Sequence, residues 1–393
     1  MNIQSADIHV TDDPLAIGTE PIPARYYFDR DWYELERKAI WLRSWVNIGH
    51  VCELPEVGSF VRREIEFARA SLLLVRGKDD RVRAFHNVCT HRGTQLVQAE
   101  AGKQSRFSCP YHMWTFSGDG ELISAPDFER FHVRREDCAL KQVAVDICGG
   151  LIFICFEPKQ TLREFLGPMA EMLEQITVAQ ATTFHEYAYE IGANWKLTYD
   201  NFQENYHLRF IHSNTIGPTL AAENPFGYPS GFSLHGKHRT QTIWMNPDAK
   251  MSEPMAMSFG RGLGRIFADG LFELPHGNEY VALFPNFFLL CNPANHFLHT
   301  VYPLGPERSR GVIRLYWKGE DETAGVRYAR EFTMASTRDV HSEDVAVIEA
   351  GQRGLSSGAI EHVNFMDQEI LCRHLIKVVE ETVEQYRAES AAG

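Results

Sequence analysis

Two cysteine–histidine pairs in this sequence have the spacing of metal ligands. Cys89 and His91 have one residue between them, and Cys109 and His112 have two. A thiolate and an imidazole that lie so close in sequence can both reach one metal site. Each of the two loops would then supply one ligand of each kind. We therefore expect a metal centre that is clamped between two loops.

Three interpretations of these four residues differ in the metal. A structural zinc ion also takes two thiolates and two imidazoles, but zinc fingers usually group like ligands together. A two-iron, two-sulfur cluster suits one Cys and one His per loop, because one iron takes both thiolates and the other both imidazoles. In the third interpretation the four side chains never meet. Gly93 and Pro110 suit tight turns beside the ligands, and Trp114 and Phe116 can shield a cluster from water.

A second stretch, NWKLTYDNFQENYHLRFIH at residues 194–212, offers ligands for another metal. His207 and His212 are five residues apart, which places them far apart around a straight helix. Both can face one metal only if the helix distorts or ends between them. The part of this stretch from Tyr199 to His212 is predicted to be helical, and Asn201 and Glu204 precede His207 at steps of three residues, broadly on one side of that helix. From spacing alone, two unrelated and partly buried histidines remain an alternative.

Taken together, the two stretches resemble the aromatic-ring-hydroxylating oxygenase α subunits, which are Rieske non-haem iron oxygenases. CTHRG and CPYHMWTF are similar to the family's Rieske motif, although Met113 stands where the usual form has Gly. The second stretch resembles the family's mononuclear-iron motif, with matches at Asp200, Asn201, Glu204, Tyr206, His207 and His212. The resemblance covers nearly the whole chain.

The resemblance implies two cofactors and their ligands. One is a [2Fe–2S] cluster held by the four residues of the two loops, Cys89, His91, Cys109 and His112. The other is Fe(II), held by His207, His212 and a carboxylate that is distant in sequence. Asp344, which precedes Glu349 and Gln352, fits the family's position for that carboxylate, and Asp339 is the runner-up. Asp344 could instead be an exposed helix charge.

Glu204 and Asn201 are the catalytic residues that the resemblance implies. In trimers of this family, an acid accepts a hydrogen bond from one histidine ligand of each metal site. Here Glu204 would connect His207 with His112 of the partner subunit. Most ring dioxygenases have Asp at this position, whereas Glu is closer to the amine-oxidising branch, which includes enzymes of carnitine-like quaternary ammonium compounds. A surface glutamate in an ordinary helix pair is the alternative.

The elements predicted along the chain indicate an α+β protein with three sections. Residues 1–44 form an N-terminal segment that packs on the catalytic domain, and an amphipathic helix ends it. Residues 45–158 contain many short apolar strands and form an all-β Rieske domain. Residues 159–393 form the catalytic domain, for which the resemblance implies a helix-grip fold with an antiparallel sheet and a long C-terminal helix. Residues 244–270 are predicted to be a long loop.

Composition excludes several classes of function. A chain of 393 residues with a net charge of −13 and no basic arm is a poor partner for nucleic acid. No apolar run is long enough to span a bilayer. The N-terminus has neither a secretory nor a transit pattern, so we expect a soluble cytoplasmic protein. No G-x-G-x-x-G motif follows a strand, so nicotinamide or flavin must belong to another protein.

The expected function is that of a terminal oxygenase component. It takes electrons from a separate NAD(P)H-dependent reductase, directly or through a ferredoxin, and uses O₂ to hydroxylate a small organic substrate, with an aromatic one favoured. Monooxygenation, dioxygenation and oxidative demethylation remain open. Oxidation of a quaternary ammonium substrate is one alternative, and a Rieske electron carrier without catalysis is another. The resemblance also implies a homotrimer, with or without a small β subunit. Apolar residues near the second metal stretch are candidates for the pocket: Phe202, Leu208, Phe210, Phe284, Phe287 and Phe288.

Overall fold

The structure is a computed structural model that describes residues 17–176, 178–220, 224–229, 231–243, 253–264, 278–291, 295–319 and 323–392. The chain divides into two compact units. The β unit comprises residues 41–165, and the α+β unit comprises residues 1–40 together with 166–393. The domain boundaries predicted from the sequence, after residues 44 and 158, stay predictions.

The β unit is built on a seven-stranded antiparallel sheet. Its apolar strands are buried because a second, three-stranded sheet and the loops cover them; Leu72, Leu73, Leu74 and Val75 are all at most 2% exposed. The large sheet runs, in spatial order, Val46–His50, Leu151–Cys155, Gln142–Cys148, Val82–His86, Ala70–Arg76, Ser59–Ile65 and Ala101–Lys103. The small sheet consists of Arg106–Ser108, Thr115–Ser117 and Leu122–Ser124.

The α+β unit also contains a seven-stranded antiparallel sheet. Along its strands the side chains either alternate between buried and exposed or are all buried, and many of them are the β-branched and aromatic residues that strands favour. In spatial order they are Thr183–Ile191, Arg308–Trp317, His296–Gly305, Phe287–Cys291, Asn278–Leu283, His238–Ile243 and Gly231–His235. A pair of two-residue strands, Ile22–Pro23 and His362–Val363, lies outside this sheet.

One 33-residue helix, Ala324–Ser356, which we call the long helix, packs on this sheet. It begins where the side chain of Thr323 accepts a hydrogen bond from the backbone N–H of Val326. Ala329 packs with Trp317, and Ile348 packs with Ile191. The other helices span Arg30–Glu36, Leu162–Leu166, Met169–Gln175, Trp195–Asp200, Leu208–Ile211, Glu253–Ser258 and Ile370–Ala392. This arrangement of an antiparallel sheet and a long C-terminal helix confirms the predicted α+β class.

Two predictions about local structure were wrong. The segment from Tyr199 to His212 is not one helix, because helix Trp195–Asp200 ends and turns follow until Leu208. Residues 244–270 are not all loop, since Glu253–Ser258 is helical and a π-helical turn continues to Leu263; the remainder of that stretch, apart from residue 264, lies outside the described residues. None of the described helices combines the length and hydropathy that a membrane crossing needs.

A buried carboxylate ties the N-terminal helix to the helix that precedes the histidines. Glu36 accepts hydrogen bonds from the indole N–H groups of Trp32 (2.6 Å) and Trp195 (2.8 Å) and from Lys196 Nζ (2.6 Å). Glu36 and Lys196 are both 0% exposed. A charge removed from water in this way is tolerated only with such partners, so each member of the set requires the others.

Lys196→Met should therefore destabilise the α+β unit strongly. The substitution leaves the Glu36 carboxylate buried without its counter-charge, at a cost of about 3–5 kcal/mol in the free energy of unfolding. Urea unfolding followed by tryptophan fluorescence measures the loss. The double variant Glu36→Gln/Lys196→Met is the control and should recover most of the stability. Equal destabilisation in the single and double variants would contradict a role for charge pairing.

Candidate metal centres

The two loops of the β unit that carry cysteine and histidine have the same turn geometry. The N–H of Gly93 donates to the carbonyl of Cys89 (2.9 Å), and the N–H of Met113 donates to the carbonyl of Cys109 (3.0 Å). The residue four positions after each cysteine has a positive φ, 80° at Gly93 and 57° at Met113. Glycine suits this conformation, whereas a residue with a Cβ is strained there. The two loops are therefore matched turns, and Met113 occupies the position that Gly93 occupies in the first.

The four predicted ligand side chains of these loops lie together. Cys89 and Cys109 are each 1% exposed and are close enough for their sulfur atoms to interact. The rings of His91 and His112 have centroids 4.7 Å apart. The Nδ1 atoms of both rings are buried and have no hydrogen-bond partner among the described residues. Two buried thiols beside two unpaired, inward-facing imidazole nitrogens fit a metal cluster, which would satisfy all four atoms.

Burial sets the protonation of this site, and aromatic residues pack around it. Burial raises the pKa of the Cys89 thiol. Burial, followed by the nearby His112 ring, lowers the pKa of His91 and so favours the neutral ring that a metal ligand needs. His91 stacks on Trp114, with centroids 4.8 Å apart. Phe116 is fully buried in the same core. Both aromatic residues thus lie where the sequence predicted that they could exclude water.

His207 and His212 flank a single turn of helix in the α+β unit. His207 is the residue before helix Leu208–Ile211 and His212 is the residue after it. The backbone of His212, at φ −99° and ψ 27°, has already left the helical conformation. Their rings lie 5.2 Å apart between centroids. The end of the helix therefore brings together two side chains whose offset of five would separate them on a straight helix.

The long helix brings the third candidate ligand to these histidines. Asp344 Oδ1 lies 3.0 Å from His212 Nε2 and 3.7 Å from His207 Nε2. Each of the three residues offers a ligand atom within 4.8 Å of the others. Asp344 is 3% exposed, whereas Asp339, the alternative, lies on the exposed side of the same helix. The geometry brings Asp344, and not Asp339, to the histidine pair.

Two further carboxylates orient the imidazole rings from outside. His207 Nδ1 contacts the carboxylate of Glu204, which also accepts the backbone N–H of His207 (3.3 Å). His212 Nδ1 lies 2.6 Å from Glu343 Oε2. Because both Nδ1 atoms are engaged, both Nε2 atoms face Asp344, which is the arrangement of a carboxylate–histidine–metal site. Sequence reasoning missed Glu343, although its place next to Asp344 was the available signal.

Carboxylates also dominate the electrostatics around His212. Burial lowers its pKa, but hydrogen bonds to Asp344 and Glu343 outweigh burial, so that the net pKa is raised. Three carboxylates around two imidazoles, largely removed from water, form a donor set that suits a divalent cation. Two histidines and one carboxylate on one side are the ligands that non-haem Fe(II) enzymes use.

Hydrogen bonds on the far side of helix Trp195–Asp200 hold the histidine segment in place. The N–H of Asn194 donates to Gln352 Oε1 on the long helix (2.8 Å). Tyr27 Oη donates to Asp200 Oδ2 (3.1 Å), and Gln203 Nε2 donates to Asp200 Oδ1 (3.3 Å). Burial is the main reason that the pKa of Asp200 is raised, to about 8. These contacts fix the turn that connects the helix to His207.

A cavity of about 280 Å³ opens onto the three candidate ligands. Asn201 lies on its wall, with Nδ2 3.4 Å from Asp344 Oδ1. Of the apolar residues predicted for a pocket, Phe202, Leu208 and Phe288 line it. Phe210 lies on the surface, and Phe284 and Phe287 are buried outside the lining. Sequence did not indicate the other aromatic lining residues, Tyr280 and Phe297.

Family comparisons agree with both sites. Residues 178–385 match the family "Ring hydroxylating alpha subunit (catalytic domain)", and residues 44–144 match "Rieske [2Fe-2S] domain". The chain belongs to the ring-hydroxylating α subunits and is a Rieske-type terminal oxygenase component, an oxidoreductase that incorporates oxygen. The Rieske domain holds a [2Fe–2S] cluster, and the catalytic domain binds a mononuclear iron. Subunits of this family work with reductase and electron-transfer partners and form oligomers.

Relatives of known activity differ in substrate. The carnitine monooxygenase oxygenase subunit of Escherichia coli K12 is 29% identical over 86% of this chain and 84% of its own length. The 2-aminobenzenesulfonate 2,3-dioxygenase α subunit of Alcaligenes sp. is 28% identical over 80% of this chain and 79% of its own. A naphthalene 1,2-dioxygenase structure from Rhodococcus sp. has a TM-score of 0.73 at 22% identity, covering 92% of this chain and 94% of its own, and shows the shared fold.

The glycine betaine monooxygenase oxygenase subunit of Pseudomonas aeruginosa PAO1 is 26% identical over 86% of this chain and 83% of its own length. A quaternary ammonium Rieske monooxygenase structure has a TM-score of 0.77 at 23% identity, over 94% of this chain and 98% of its own. The names of these two proteins state that they act on quaternary ammonium compounds. The relatives in the preceding paragraph include aromatic dioxygenases. The relatives thus share the family of this chain but differ among themselves in substrate class.

The matched turns of the two cluster loops generate a prediction about stability. Met113→Gly should stabilise the cluster loop by up to about 1 kcal/mol. A left-handed conformation costs a residue with a Cβ roughly 1–2 kcal/mol, and the greater conformational entropy that glycine loses on folding offsets part of the gain from removing this strain. The urea concentration at which the cluster's visible absorbance is lost measures the effect.

Gly93→Ala is the matched control for this prediction. No atom of the described residues lies within 4 Å of a Cβ placed at Gly93, so the substitution reports backbone conformation without a clash. It should destabilise the cluster loop by about 1 kcal/mol. A shift of the same sign in both variants would contradict the matched-turn description.

Proposed function

We propose that the two metal sites are built from the residues described above. Cys89, His91, Cys109 and His112 hold the [2Fe–2S] cluster. The buried thiols, and the Nδ1 atoms of His91 and His112, for which no described residue is a hydrogen-bond partner, support this assignment. His207, His212 and Asp344 hold the mononuclear iron. The convergence of their ligand atoms within 4.8 Å supports it. Bound iron supplies O₂ activation, and the cluster supplies the electrons one at a time.

The proposed reaction is hydroxylation of a small aromatic substrate with electrons from a separate NAD(P)H-dependent reductase. The observation that carries this proposal is the lining of the cavity beside Asp344. Aromatic rings of Phe202, Tyr280, Phe288 and Phe297 form much of it. A dry apolar cavity of about 150 Å³ holds benzene, so a volume of about 280 Å³ accepts a substituted ring. These side chains exclude water and orient the substrate beside the iron ligands.

A quaternary ammonium substrate is the second candidate. Glutamate at position 204 favours it, as do the named activities of several relatives, and aromatic rings can also bind a cation through their faces. Carnitine and glycine betaine carry a carboxylate as well, which usually pairs with a cation. No lysine or arginine occurs among the described residues that line the cavity. The lining therefore favours the aromatic substrate.

Electrons are proposed to reach His207 through Glu204 from the cluster of a neighbouring copy in a homotrimer. Glu204 holds His207 Nδ1 and is itself near the surface, with a side chain 12% exposed. Each unit also exposes large apolar side chains beside its metal site. Tyr111 and Met113 are each 56% exposed next to His112, and Phe210 is 57% exposed next to His207. A second copy that covers both surfaces would bring His112 to Glu204.

Turnover with a surrogate reductase tests the proposed function. The holoenzyme should form hydroxylated product from monocyclic aromatic compounds and not from carnitine or glycine betaine, with product measured rather than O₂ uptake.

Asp344→Asn should abolish product and lower bound iron from about three to about two atoms per chain, while the cluster remains. Asp339→Asn is the matched control and should retain both. If Asp339→Asn loses the iron and Asp344→Asn keeps it, the third ligand is misassigned.

Glu204→Gln tests the electron route. The variant should keep both metals and its oligomeric state, and reductase should still reduce its cluster. It should cut product formation at least about 100-fold, since an outer carboxylate that orients a ligand histidine is worth 10–100-fold and the route is also interrupted. Single-turnover mixing of reduced protein with O₂ and substrate measures cluster oxidation directly. Normal oxidation and product yield would mean that electrons take another path.

A further inference from the structure

One polar side chain in the cavity has no role in the sites described so far. His341 lines the cavity and lies on the long helix three residues before Asp344. It is 2% exposed, and neither ring nitrogen has a hydrogen-bond partner among the described residues. An unpaired buried donor or acceptor costs about 1–3 kcal/mol, so such groups in native proteins usually await a ligand or a solvent molecule.

The ring of His341 is fixed by packing rather than by hydrogen bonds. Its centroid lies 4.0 Å from that of Tyr189 and 6.0 Å from that of Phe202. Tyr189 is held in turn, because its hydroxyl lies 2.7 Å from His299 Nε2. Tyr189 also lies directly across the sheet from Gly311, where any Cβ would collide with its ring. His341 therefore lies at the cavity wall in a defined orientation.

Two other polar groups on this face of the long helix are less available. Thr337 donates its hydroxyl hydrogen to the carbonyl of Thr333 (2.9 Å), and Thr333 donates its own to the carbonyl of Ala329 (2.8 Å). Burial lowers the pKa of His341 to about 4. The ring is then neutral at physiological pH, with one nitrogen that donates and one that accepts. Such a ring can form hydrogen bonds with uncharged polar groups, but it has no net charge that would attract a carboxylate.

The position on the helix relates this contact to the reacting carbon. Residues three apart lie on the same face, about 4.5 Å apart along the axis. A substituent bound at His341 and a carbon held beside Asp344 can thus belong to one small ring.

We propose that His341 is a specificity-determining residue that hydrogen-bonds an uncharged polar substituent, such as a hydroxyl or amino group, on an otherwise apolar ring. This inference rests on the proposed function and narrows its substrate class. Rings without such a substituent leave the imidazole unpaired and bind more weakly.

Anaerobic binding to the holoenzyme, without electrons, tests this contact independently of turnover. Phenol and toluene are the probes, since they have similar size and differ in the polar group, and calorimetry gives both dissociation constants. Wild type should bind phenol about 10-fold or more tightly than toluene. His341→Phe keeps the ring shape and should remove this preference. His341→Asn, which still offers a donor and an acceptor, should retain part of it.

His362→Phe is the matched control, because it makes the same chemical change at an exposed residue, and it should keep the wild-type ratio. Equal binding of phenol and toluene by wild type, no binding of either, or an unchanged ratio in His341→Phe would overturn the proposal. If the ratio depends on His341 but no probe is hydroxylated with the surrogate reductase, the proposed function fails and the contact stands. If toluene is hydroxylated but phenol does not bind more tightly than toluene, the proposed function stands and the contact with His341 fails.

Discussion

The catalytic site depends on the two carboxylates that hold the outer nitrogens of its histidines. Glu204 and Glu343 engage Nδ1 of His207 and His212, so that both Nε2 atoms face Asp344. Without these contacts, an imidazole that flanks a single helical turn could rotate about its side-chain bonds, and its Nε2 atom would no longer face Asp344. These contacts hold the rings in the orientation that a metal site needs, which reduces the entropy that metal binding must overcome.

The long helix connects ligation with substrate contact through its periodicity. Thr333, Thr337, His341 and Asp344 lie on one face at helical spacing and line the cavity. Gln352 continues this face and accepts the backbone N–H of Asn194 at the start of the histidine segment. Because one rigid element carries the acid ligand, the cavity wall and this anchor, their relative positions do not depend on loops.

Sequence reasoning predicted the parts of the molecule that are local. The spacing of Cys89 and His91, like that of Cys109 and His112, indicates a tight turn between nearby residues, and buried strands are recognised by their apolar composition. It failed for residues 201–207, where helical spacing suggested a helix and tertiary contacts such as Tyr27 to Asp200 favoured a turn. Glu343 and His341 were missed for another reason. Both contact residues more than one hundred positions away, and apart from the adjacency of Glu343 to Asp344 no local pattern indicates these contacts.

Gly311 shows that the polar wall of the cavity depends on a strand position outside the lining. Its missing side chain leaves the space in which the Tyr189 ring lies, and Tyr189 in turn supports His341. A methyl group at this position would push the tyrosine toward the imidazole and narrow the cavity from behind. Substrate range in this enzyme can therefore be retuned by evolution or by engineering at a position that never touches the substrate, while the iron ligands remain unchanged.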